Sequence, residues 1–254
     1  MKPAKLILNI EKMRLSFATQ VYRANTLRDV FVQTFQDPFS VLLKAQNRLE
    51  VIRDLNLKVY EGDRIALVGV NGAGKTSLCR SIAGYYTPTA GKISVHGKVR
   101  AIFDTMVGIY PELTGRENAG ILVDFLYPNL VDKEEKIREA LEFTELGHFL
   151  DTPFKFYSNG MQARLCLAVL TIDPTDLLIL DEVFEGADQF FREKIAKRVL
   201  SVIERSGAVI FVSHSADQLQ RVCNRAVLIS EGRVHFDGSV KDTLAAYEKT
   251  HGKG

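Results

Sequence analysis

Gly69 to Thr76 reads GVNGAGKT, and this stretch decides how the other residues of the 254-residue chain are interpreted. It fits G-x-x-x-x-G-K-[ST] at every fixed position, follows the apolar run from Ile65 to Val68 and opens a helical segment, TSLCRSIAGYY. A plain glycine-rich turn would have to produce the Lys-Thr pair at this offset by chance. Glycines 69, 72 and 74 let the backbone turn so that successive amides face inward, and the helix N-terminus adds its partial positive charge. The segments around Gly69, Asn71, Gly72, Ala73, Gly74, Lys75, Thr76 and Ser77 therefore form a candidate phosphate cradle. Lys75 suits the β- and γ-phosphates, and Thr76 offers a hydroxyl to Mg²⁺, which prefers near-octahedral oxygen ligands. The expected ligand is MgATP.

Three other stretches belong with this loop. LLILDE is an apolar run ending in Asp181 and Glu182, as a buried parallel strand reads. Ligands of such sheets lie beyond the strand carboxyl ends, so Asp181 suits Mg²⁺ and Glu182 suits the proton of an attacking water. An acidic pair after a strand also serves as a helix cap. AVIFVSH puts His214 at the end of another apolar strand, where it could hydrogen-bond a γ-phosphate; a lone histidine is more often simply packed or solvated. In YSNGMQARL, Ser158 and Asn159 suit an N-cap, while the Ser158 hydroxyl and Gly160 amide also suit an anion.

Composition is that of a soluble globular chain, 46% hydrophobic and 25% charged. The 33 Lys and Arg against 31 Asp and Glu are scattered, with no basic stripe to neutralise phosphodiesters, so nucleic acid is not an expected partner. Cys79, Cys166 and Cys223 are odd in number, far apart and set among apolar residues, as reduced core thiols are. Charges interrupt the N-terminal MKPAKLILNIEKMRLSF, unlike a signal peptide, and no run approaches the ~18 apolar residues of a membrane span. Any membrane role needs another chain to span.

Residues 5–17 and 50–68 read as strands, with a turn at Glu61-Gly62-Asp63. Between them Leu27, Val30, Phe31 and Phe35 recur at helical spacing until Pro38, marking an amphipathic insertion over about 24–46. Residues 92–103 suggest a hairpin turning at His96-Gly97. Residues 110–170 are helical in pattern, broken at Pro111, Gly115, Pro128 and Pro153; strands and helices then alternate, arguing for a parallel sheet flanked by helices.

GVNGAGKT, YSNGM, LLILDE and VSH, in this order and spacing, resemble the ATP-binding subunit of an ABC transporter along nearly the whole chain. PELTGREN (Pro111 to Asn118), the Tyr157 and Met161 wording of the signature, and DEVFEGAD (Asp181 to Asp188) are similar to the ATPases of bacterial exporters of O-antigen, capsular polysaccharide or teichoic acid. The resemblance implies one α/β P-loop ABC ATPase domain over 1–254, with a mainly parallel sheet core, an N-terminal antiparallel β layer and a helical subdomain. Its nucleotide-binding core would comprise 1–104 and 176–254, and the helical subdomain 105–175. It implies that Ser158 and Gly160 contact the γ-phosphate held by a second copy's phosphate loop, and that Gly186 and Asp188 run between subunits. Catalysis falls to Glu182, His214 and Lys75. The position where the family usually has a glutamine falls near Asp104 or Thr105, and Asp104 is a further metal-site candidate; Phe17 and Tyr22 are the candidates for adenine stacking. The implied partners are a membrane-spanning permease, a second copy and a lipid-linked glycan, at the cytoplasmic face of the inner membrane. A soluble ABC switch on ribosomes or DNA would be expected to carry a second ATPase unit or a coiled-coil insertion, and neither is present in the sequence. With only EKTHGKG after Tyr247, substrate choice is expected to rest with the permease.

Overall fold

The computed structural model describes residues 4–18, 48–103, 108–181, 189–213 and 215–251. Tyr22, the 24–46 insertion, Asp104, Glu182, Gly186, Asp188 and His214 lie outside the described residues.

Two sheets are built from strands β1 (Leu6–Ala18), β2 (Arg48–Tyr60), β3 (Arg64–Val68), β4 (Ala90–Val95), β5 (Val99–Ile102), β6 (Leu177–Asp181), β7 (Ala208–Val212), β8 (Arg225–Ser230) and β9 (Arg233–Gly238). The first is antiparallel, in the order β2-β1-β4; the second runs β5-β6-β7-β3-β8-β9 and is parallel except for β9. Between β5 and β6 lie α2 (Gly115–Leu126), α3 (Lys133–Thr144), two short 3₁₀ turns (Gly147–Asp151 and Phe154–Phe156) and α4 (Asn159–Leu170). The phosphate-loop helix α1 (Lys75–Ile82) follows β3; α5 (Gln189–Arg205), α6 (Ala216–Val222) and α7 (Val240–His251) complete the described helices.

Every residue of β6 and β7 is buried, because both faces of the parallel sheet are covered. Alternate side chains enter different cores. Leu178 and Leu180, with Val209 and Phe211, pack among the helices, joining Leu122, Leu165 and Val202. Leu177, Ile179 and Ile210 face the antiparallel sheet, where Ile10, Ile52, Leu78 and Cys79 meet them. A side chain buried this fully contributes about 1.5–3 kcal/mol, and the uninterrupted apolar runs leave neither face free to turn to water. All three cysteines are buried thiols.

Residues 92–103 do not form the expected hairpin. The chain does turn at Gly97, whose φ is +122°, but β4 then pairs with β1 and β5 with β6, in different sheets. Asp176 accepts the Lys98 amide at 2.8 Å and the Thr175 hydroxyl donates to the Lys98 carbonyl, also at 2.8 Å; this draws the chain across to β6. A similar transfer joins β2 to β3: Asp63 accepts the Tyr60 amide at 2.9 Å, and Arg225 bonds Asp63, Asp237 and the Lys58 carbonyl. Gly115, expected to break the helical pattern, is instead the first residue of α2, behind a Thr114 cap.

Candidate phosphate-binding site

The loop after β3 is shaped by contacts that exclude side chains. A Cβ at Gly69 would lie 2.3 Å from the Ile229 carbonyl oxygen, and one at Gly74 would lie 2.8 Å from Ile52. Gly72 is held by conformation alone: its φ is +81° and nothing would touch a Cβ within 4 Å. Gly74, left-handed at φ 104°, enters α1 without any side-chain cap, and the first turn of α1 holds no acid. Those amides and the helix dipole are thus disposed toward an anion. Lys75 is buried at 9% exposure, and its Nζ donates to the carbonyl oxygens of Gly69 at 2.7 Å and Val70 at 3.2 Å. This folds the ammonium onto the loop itself.

Asp181 ends β6 at 5% exposure. Burial pushes the Cys79 thiol well up, helped by the negative charge of Asp181 and opposed by the positive charge of Lys75. The carboxylate, the ammonium and the first turns of α1 therefore share one electrostatic neighbourhood at the carboxyl ends of β3 and β6. With Thr76 exposed at the start of α1, the donor chemistry is all oxygen and the glycine cradle is bare of side chains, which fits a small hard cation carrying phosphates.

Ser158 caps α4, its hydroxyl accepting the Met161 amide at 3.3 Å, while Asn159 is already helical and Gly160 half-buried. α4 packs against α2, α3 and α5, and α1 against β2 and β6. Phe17 is 36% exposed and meets Tyr86 edge-on at 5.3 Å; the Arg80 guanidinium lies over the Tyr86 ring. Sequence reasoning did not single out Asn118, which is fully buried in the first turn of α2 and bonds the loop ahead of it. The T-x-x-E spacing of Thr114 and Glu117 was the available signal, since these two form a full capping box.

A glycine-shaped loop between a buried parallel strand and a helix, with a lysine tucked into it and an aspartate ending a strand of the same sheet one strand away, defines the P-loop nucleotide-binding class. Residues 52–185 match the family described as ABC transporter. The O-antigen export system ATP-binding protein RfbB of Klebsiella pneumoniae is 35% identical over 208 residues, covering 82% of this chain and 84% of the relative. The teichoic acids export ATP-binding protein TagH of Enterococcus faecalis is 32% identical over 236 residues, and the chain spans about half of its length (52%). A solved structure described as an ATP-binding subunit of an ABC transporter superposes with a TM-score of 0.70 at 23% identity, over 95% of this chain and 93% of the other. A dimeric ATP-binding cassette bound to ADP and Pi gives the same TM-score at 17% identity. The chain belongs to the ABC transporter family, and it is an ATPase of that family.

Among the described residues no helix is long and apolar enough to cross a membrane.

Proposed function

We propose that two copies of this chain close on two MgATP and drive export of a lipid-linked surface polysaccharide, or a teichoic-acid-like polymer, through a separate membrane-spanning permease at the cytoplasmic face of the inner membrane. The observation that carries the ATPase part is the bare glycine cradle with Lys75 and Asp181 in one electrostatic neighbourhood. The polymer class is supported by relatives named for O-antigen and teichoic acid export. Thr76 and Asp181 would hold Mg²⁺, which neutralises charge on the phosphates. Loop amides and Lys75 orient the γ-phosphate, Glu182 takes the proton of the attacking water, and His214 hydrogen-bonds the γ-phosphate. Ser158 and Gly160 of one copy meet the nucleotide of the other, so turnover requires closure. Asp104 would be a further holder of the cation, and Phe17 or Tyr22 would stack the adenine.

Glu182→Gln tests the chemistry: ATP binding persists, turnover falls by about 10²–10⁴-fold, the range expected for loss of a general base, and an ATP-dependent dimer accumulates. Undiminished hydrolysis would remove Glu182 from its role. Depleting the protein in its own bacterium tests the polymer: surface glycan is lost while lipid-linked precursor builds up in the inner membrane, and a Lys75→Ala copy does not restore export. Unchanged surface glycan would overturn the export reading.

A further inference from the structure

The Ser158 turn is not held by its own helix alone. It is preceded by Pro153–Tyr157, and this segment is fastened to the start of α2 by backbone bonds: Phe154 N–H donates to the Leu113 carbonyl at 2.8 Å, Lys155 N–H donates to that of Pro111 at 2.9 Å, and Thr114 bridges Pro153. The loop that accepts these bonds is fixed by one side chain. Asn118 is fully buried; its Nδ2 donates to the carbonyls of Tyr110 (2.9 Å), Leu113 (3.1 Å) and Thr114 (3.0 Å), and its Oδ1 accepts the Tyr110 amide at 2.7 Å. Leu113 therefore serves both Asn118 and Phe154, which makes the connection continuous.

A second link reaches the residue next to Ser158. The Tyr157 hydroxyl donates to the Phe149 carbonyl at 2.6 Å, and its ring lies 5.1 Å from that of Phe154. A Cβ at Gly115 would fall 2.1 Å from that hydroxyl. Because the ring is packed and its hydroxyl is bonded to the Phe149 carbonyl, an added methyl would have to displace Tyr157 together with the turn that follows it.

We infer that Asn118 and Gly115 are positioning residues for hydrolysis: through the 110–114 loop and Tyr157 they hold Ser158 and Gly160 in the geometry that the partner copy's nucleotide requires. The inference rests on the reading that Ser158 meets nucleotide across the dimer. The bonds of Asn118 and the close approach of Gly115 to Tyr157 support the turn before Ser158, so their replacement acts on closure and leaves binding of ATP to one copy as it was.

The test measures specific ATPase activity of the full chain against protein concentration, beside titration with a fluorescent ATP analogue and a thermal melt. In Asn118→Ser and Gly115→Ala the concentration giving half-maximal specific activity rises at least about tenfold, equivalent to about 1.4 kcal/mol, while analogue affinity changes less than about twofold. A purely architectural role would lower the melting temperature and leave that dependence where it was. Ser158→Arg is the control for the underlying reading and abolishes concentration-dependent activity. If Ser158→Arg stays active, the dimer reading itself fails. If it is inactive and both other variants keep the wild-type dependence, only the positioning inference fails. Should Asn118→Ser not fold, Gly115→Ala decides, since it leaves the Asn118 side chain in place; loss of folding in both overturns the inference.

Discussion

At the scale of single residues, the phosphate loop contains glycines required for different reasons. Gly69 is needed because the Ile229 carbonyl occupies the space where a Cβ would sit; Gly72 is needed only for its left-handed backbone. Gly69→Ala should therefore cost about 3 kcal/mol of stability, and Gly72→Ala about 1 kcal/mol. Urea unfolding of the two variants checks this, and equal losses would show that strain alone governs the loop. Cys223 supplies a pH-dependent term of predictable sign. Burial pushes its thiol up to about 12 from an ordinary value of 9.0, so the folded chain keeps a proton that the unfolded chain releases. The stability this provides is complete below pH 9.0 and is lost as pH climbs toward 12. Thermal midpoints recorded across that window should fall, and the fall should be shallower in Cys223→Ala.

Among elements, α2 and the start of α4 depend most on polar detail. Thr114 accepts the Glu117 amide at 3.2 Å while the Glu117 carboxylate accepts the Thr114 amide at 2.8 Å, so one short segment satisfies both ends of its first turn. Thr114→Ala should destabilise the chain by about 1 kcal/mol, read as a lowered thermal midpoint; an unchanged midpoint would mean that tertiary bonds alone hold the turn. The strands were easier to read than their partners. LLILD and AVIFV are recognisable as buried strands from their unbroken apolar runs. KISVHGKVRAIF misled, because a turn at Gly97 has the same local sequence whether the chain doubles back in one sheet or crosses to another. Asp176, nearly eighty residues away, makes that choice by taking the Lys98 amide.

For the molecule as a whole, the amphipathic residues Leu27, Phe31 and Phe35 carry a prediction from sequence alone. Replacing all three with alanine should impair polymer export more than basal ATP hydrolysis; equal loss of both activities would indicate a packing role. The phosphate loop and the buried strand ending in Asp181 were legible in the sequence because each depends on a contiguous run whose spacing dictates its chemistry. Glycine freedom, a lysine at a fixed offset and an apolar run closed by an acid are local properties, and they were enough to establish an α/β nucleotide-binding chain. Tertiary structure alone decided which strands share a sheet, that alternate side chains of β6 and β7 feed two separate cores, and that Asn118 ties the 110–114 loop to the turn before Ser158. Those outcomes depend on bonds between residues tens of positions apart. Such bonds become favourable only after the intervening chain has been closed into place, and no local pattern records which distant partner will satisfy a buried polar group.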